Sequence, residues 1–201
     1  LVFMSGLFMG LALITKGPAA LAIFGLTVSI HWAIKRFRLY FSVLEILVFL
    51  AALSVFSLGW ASYEYLRNGP WFMTEFITYN IRLFSTPDAG HGGFPGYHFV
   101  VLLLGCFPGS LFFIHQHIKG KTDNEEQKEF RLFMLILFWV VLILFSIVKS
   151  KIVHYSSMCY FPLTFGAAFS LHYWLNSGEK ISGWIRYSIA IVGVLLGVVV
   201  L

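Results

Sequence analysis

Of 201 residues, 59% are hydrophobic and only 11% charged, against about 25% charged in soluble domains, and this excludes a soluble globular fold. The net charge of +5 is gathered in short clusters between apolar runs, so it reports membrane topology rather than a nucleic-acid-binding surface. No stretch alternates with period two over the length of a barrel strand, and in lipid that leaves helices.

A hydrocarbon core of about 30 Å asks for about 20 predominantly apolar residues per helical span. Runs that meet or approach this lie near residues 1–15, 18–34, 41–62, 97–117, 131–148, 155–175 and 184–201. They predict one all-α domain over 1–201, a polytopic transmembrane helical bundle of about seven spans. An outer interfacial helix and loop are expected at 63–96. The chain starts at Leu1 without Met and stops inside the run Val198-Val199-Val200-Leu201, the pattern expected of an internal portion of a longer chain. Cys106 and Cys159 fall inside apolar runs, where a thiol acts as a small hydrophobe. Their spacing makes no metal motif.

The connections alternate sides. One set holds Lys35, Arg36, Arg38, Lys119, Lys121, Lys128, Arg131, Lys180 and Arg186; the other holds only Lys16, Arg67, Arg82, Lys149 and Lys151. The richer set is expected on the cytoplasmic side. His31, His115, His117 and His172 lie near cytoplasmic span ends and read as satisfied interfacial histidines.

The outer set carries the informative residues. Lys16-Gly17-Pro18 makes a sharp turn that presents one cation at the membrane surface. By itself this fits a lysine anchoring a helix end. Asn68-Gly69-Pro70 is a helix start, with Asn or Gly as cap and Pro at the first helical position. From Trp71 onward Phe72, Phe76 and Leu83 fall on one side, while Glu75, Thr78, Tyr79 and Arg82 form a polar stripe. Such a helix is expected to lie in the membrane interface. A Gly- and Pro-rich loop follows, with Asp88 and His91 in it, and Tyr97 and His98 begin the next span. The third outer segment, Lys149-Ser150-Lys151-Ile152-Val153-His154-Tyr155, crowds two lysines and a histidine at a span boundary. On that side a basic cluster runs against the topology rule, and a phosphate near the headgroup plane would be its natural partner.

Taken in order, Gly10 to Pro18, Gly69-Pro70-Trp71-Phe72, Glu75, Arg82-Leu83-Phe84, His91-Gly92-Gly93 and Ser150 to Tyr155 carry a resemblance. From about Gly6 to Pro162 the chain resembles the polyprenyl-phosphate-sugar glycosyltransferases, most of all the bacterial aminoarabinose transferase and protein O-mannosyltransferase relatives. It departs from them at Leu83, Val153, Met158 and Phe161. The resemblance implies a partial C-type glycosyltransferase membrane domain in the bacterial inner membrane, with its active face outward. It implies transfer of a sugar, with inversion, from a polyprenyl phosphate donor to a lipid A-like lipid, a protein or a surface glycan.

Under that resemblance Lys16, Arg82 and Lys151 fall on motifs that bind donor phosphate, with Lys149 beside them. Glu75, Tyr79, His91, Tyr97, His154 and Tyr155 are expected to position substrate. The family's catalytic Asp belongs to a first outer loop not represented among these residues, so no catalytic base is assigned. The resemblance leaves room for a divalent metal, although no ligand cluster in the sequence demands one. Two rival functions predict something else. A transporter or flippase would place ionisable residues in mid-span, where this chain has few. A non-catalytic assembly subunit would tolerate wholesale substitution of the outer segments.

Overall fold

Glycine followed by proline sets two of the helix junctions. Helix α1 (Val2–Lys16) ends at Gly17 and α2 (Pro18–Ile34) starts at once; α3 (Val43–Asn68) ends at Gly69 and α4 (Pro70–Ser85) follows in the same way. Proline suits a first helical position because the N–H it lacks would have no intrahelical acceptor there. A capping box opens α3: the Ser42 N–H donates to the Glu45 carboxylate at 2.8 Å, and the Glu45 N–H donates to Ser42 Oγ at 3.3 Å. Beyond these come α5 (Tyr97–Gly105), α6 (Gly109–Lys119), α7 (Glu125–Ile147), a 3-10 helix (Val153–Cys159), α8 (Tyr160–Ser177) and α9 (Gly183–Val200). The structure is a computed structural model that describes residues 1–38, 41–87, 92–119, 124–178 and 180–200. Among the described residues there are nine α-helices and no strand, the all-α fold that the composition requires.

Several boundaries differ from those expected. The run 97–117 is two helices, α5 and α6, bent by 108° across the break between them. Pro108 lies in that break, and its ring and missing N–H prevent a helix from passing through. Helix α3 continues past residue 62 to Asn68, since no breaker intervenes before Gly69. The Asn68 side chain also reaches back one turn to Glu64 at 2.6 Å. Residues 155–159, expected within a span, belong to the 3-10 helix. By length and composition α3 and α7 can each cross a membrane, and the bent α5–α6 pair is a third candidate. Helices α1, α2 and α9 are shorter and apolar. The chain is an integral membrane protein.

The residues fall into two units, 1–92 with 148–150, and 93–147 with 151–201. In the first, α1 packs along α3 through glycines. A Cβ on Gly6 would stand 2.5 Å from the Phe49 carbonyl oxygen, and one on Gly10 would stand 2.6 Å from that of Leu53. Small residues four apart let two backbones approach this closely, and in an apolar solvent that contact is the main source of attraction. Ala52, fully buried, completes the seam.

The second unit packs through large side chains instead. Helix α6 lies on α8, and α7 lies against α5, α8 and the 3-10 helix. Phe113 and Phe138 meet at 4.5 Å between ring centroids, and Leu142, Leu163, Trp174 and Ile185 are buried. His115 is buried here, with Nδ1 3.0 Å from Ser170 Oγ and its ring 4.4 Å from that of Trp174. It is a satisfied core histidine.

Candidate functional site

In the first unit the C-terminal half of α4 is where three separate segments of the sequence meet. Phe72, Phe76, Asn80 and Leu83 form the half-buried side of this helix, and Trp60 of α3 packs edge-on against Phe72 and Phe76 at 5.9 and 5.5 Å. The apolar side therefore runs as the sequence predicts, with one polar member that the sequence reading passed over. Asn80 Nδ2 donates to the Phe76 carbonyl at 2.8 Å. Its amide lies against buried Gly17: a Cβ there would be 2.8 Å from Asn80 Oδ1 and 3.3 Å from Cγ. The turn that carries Lys16 is thus seated on α4.

The segment that begins at Lys149 reaches the same helix end. The Lys149 N–H donates to the Phe84 carbonyl at 3.3 Å, and Ser150 Oγ donates to the Thr86 carbonyl at 2.8 Å. These bonds occupy carbonyls in the last turn of α4 and just beyond it, which otherwise have no intrahelical donor. Lys16, Arg82 and Lys149 are all exposed. The Arg82 guanidinium lies 5.3 Å from the centroid of the Tyr79 ring, so Tyr79, itself exposed, offers that face to a cation. Glu75 is exposed on the same helix.

In the second unit Lys151 stands in different surroundings. It is 6% exposed, and its ammonium donates to the carbonyls of Phe145 at 3.0 Å and Ser146 at 2.7 Å, in the last turn of α7. A lysine there offsets the negative end of the helix dipole. Burial holds the ammonium below the usual lysine range. Gly93 covers its stem, for a Cβ on that glycine would sit 3.0 Å from Lys151 Cγ. An aromatic series runs beside it. Tyr97 meets His98 edge-on at 5.1 Å, His98 lies 6.3 Å from Phe145, Phe145 lies 5.1 Å from Tyr155, and Tyr155 meets His154 at 5.1 Å. His98 is fully buried, and neither ring nitrogen has a hydrogen-bond partner among the described residues.

Asp88 and His91 lie outside the described residues. Among the described residues no three His, Cys, Asp or Glu side chains gather where they could hold a metal ion.

No family model and no solved structure matches the chain. Curated proteins do. Over 163 residues it is 31% identical to the undecaprenyl phosphate-alpha-4-amino-4-deoxy-L-arabinose arabinosyl transferase of Pectobacterium carotovorum, which covers 79% of this chain and 28% of that protein. The protein of the same name from Photorhabdus laumondii is 32% identical over 162 residues, with the same coverage. That from Aeromonas hydrophila is 29% identical over 191 residues, 90% of this chain and 34% of the relative. The chain spans about a third or less of the length of these relatives.

Proposed function

We propose that this chain, a homologue of the undecaprenyl-phosphate aminoarabinose transferases along 79–90% of its length, is the donor-phosphate-holding part of a membrane glycosyltransferase. The observation that carries the reading is the meeting of three segments on the end of α4, each bearing an exposed cation: Lys16, Arg82 and Lys149. The donor is a sugar on a polyprenyl phosphate, by analogy with the relatives' names a 4-amino-4-deoxy-arabinose. The acceptor is a lipid A-like lipid, a protein or a surface glycan. The reaction takes place at the outer face of the inner membrane, the side to which the sparser set of basic residues assigns these segments.

The acceptor oxygen forms a bond to the anomeric carbon as the bond from that carbon to the phosphate oxygen breaks. The electron pair leaves with the lipid phosphate, and the acceptor proton goes to a base outside this chain. Negative charge grows on the phosphate during this step, so fixed cations stabilise the transition state more than the ground state. Arg82, with Tyr79 beneath it, is suited to grip two phosphate oxygens, while Lys16 and Lys149 act as point charges. Lys151, the remaining cation of the motif set, would have to exchange carbonyl bonds at the end of α7 for a phosphate. Tyr97, His154 and Tyr155, with His91 and Glu75, remain the substrate-positioning candidates.

The test is transfer by the full-length protein in membranes, with Arg82→Ala compared with wild type. A loss of about 10²–10³-fold in kcat/KM is expected from removing a transition-state cation. An intact, folded variant with an unchanged rate would overturn the assignment.

A further inference from the structure

We infer that Asn80 is a positioning residue: its amide, fixed on the inward side of α4, seats Gly17 and so sets where Lys16 stands relative to the helix that carries Arg82. This rests on the reading of Lys16 and Arg82 as donor-phosphate cations.

Three observations carry it. First, Asn80 occupies the position of an apolar residue, on the half-buried side shared with Phe72, Phe76 and Leu83. A polar side chain there needs its hydrogen-bonding groups placed. Its Nδ2 is bound to the Phe76 carbonyl at 2.8 Å, which fixes the amide plane and directs Oδ1 away from its own helix. Second, Oδ1, Cγ and Nδ2 all approach Gly17, at 2.8, 3.3 and 3.3 Å from where a Cβ would stand. A Cβ at Gly17 would require the amide to move. Third, Gly17 is a joint of one residue. Its N–H donates to the Leu13 carbonyl at the end of α1, and its own carbonyl accepts from Ala20 in the first turn of α2. Its φ of 62° with ψ of −152° is a conformation essentially confined to glycine. Lys16 is the last residue of α1, directly before this joint. A shift of the joint on α4 therefore moves the lysine, and Asn80 is the group the joint rests on.

The sequence alone holds a trace of this arrangement, in a glycine before proline and an asparagine where the stripe calls for an apolar residue. Neither is informative until the two are seen in contact.

The experiment compares Asn80→Ala, Gly17→Ala and the double variant in the full-length protein. It measures KM for the polyprenyl-phosphate-sugar donor, KM for the acceptor, kcat and the melting midpoint. Asn80→Ala is expected to raise donor KM about tenfold and leave acceptor KM within about twofold, since a misplaced binding group affects the ligand it holds. Gly17→Ala is expected to cost more than about tenfold alone. In the Asn80→Ala background the clash with the amide is gone but the strain of a side chain at φ 62° remains, so part of this cost should persist.

Donor and acceptor KM moving together in Asn80→Ala would overturn the inference. Should Gly17→Ala fail to fold, the split between donor and acceptor KM in Asn80→Ala still decides. A wild-type protein that transfers no sugar from any polyprenyl phosphate would instead sink the functional reading. Normal wild-type transfer with an unaltered Asn80→Ala donor KM sinks only the role of Asn80.

Discussion

Lys149 and Lys151 are two residues apart, yet the first unit exposes its lysine and the second buries its own. Lys149 is held by its backbone N–H on the Phe84 carbonyl, which leaves the ammonium exposed. Lys151 puts the ammonium itself on two carbonyls of α7. The difference extends to the packing. The first unit closes on Gly6, Gly10 and Ala52, while the second closes on Phe113, Phe138, Leu142 and Trp174. A unit joined by bulky side chains encloses the polar groups among them, and those groups then answer to the fold.

The largest effects that could break this comparison lie in the packing. Leu142→Ala, at 2% exposure, should destabilise the protein by about 2–5 kcal/mol through the cavity left in the second unit. Gly10→Val should cost about 1–3 kcal/mol through overpacking against Leu53. Thermal unfolding of the full-length protein in detergent reads both. An unchanged midpoint in Gly10→Val would mean that backbone approach does not close the first unit, and one in Leu142→Ala that bulky side chains do not close the second.

A smaller effect sharpens the contrast between the lysines. Lys151→Met keeps the stem and removes two bonds from a charged donor, and should lower stability by about 1–3 kcal/mol. Lys149→Met should leave the melting midpoint unchanged and raise donor KM by about tenfold, the loss of one binding interaction. The reverse pattern would exchange their roles.

The smallest effect is expected at His98. Its imidazole is buried with no partner among the described residues. His98→Phe removes an unsatisfied polar group and should be neutral or stabilising by about 1 kcal/mol. A marked loss of stability would show that the ring has a partner beyond those residues.

Local rules made much of this legible. Pro18 and Pro70 marked two helix starts, and the 3.6-residue stripe identified the inward side of α4 through Phe72, Phe76 and Leu83. All-helical structure followed from the demand that backbone groups in lipid be satisfied locally. What escaped depends on contacts between distant segments. The exception is local: Pro108-Gly109 breaks the run 97–117 into two helices, where hydropathy alone reads one. Lys151 looks like Lys149 until the carbonyls at the end of α7 are seen to claim it. Asn80 looks like a stray polar residue on the apolar side of α4 until Gly17 is found against it.

The account stands or falls on whether the exposed cations around the end of α4 hold the phosphate of the donor. Inhibition of transfer by undecaprenyl phosphate alone, which carries the lipid and the phosphate but no sugar, tests this most directly. The inhibition constant should rise about tenfold or more in each of Lys16→Met, Arg82→Ala and Lys149→Met, as expected when one charged contact is lost. It should stay at the wild-type value in Lys128→Met, whose ammonium is paired with Glu125 at 2.6 Å on α7. Inhibition constants unchanged in all three cation variants, with the proteins intact, would contradict it.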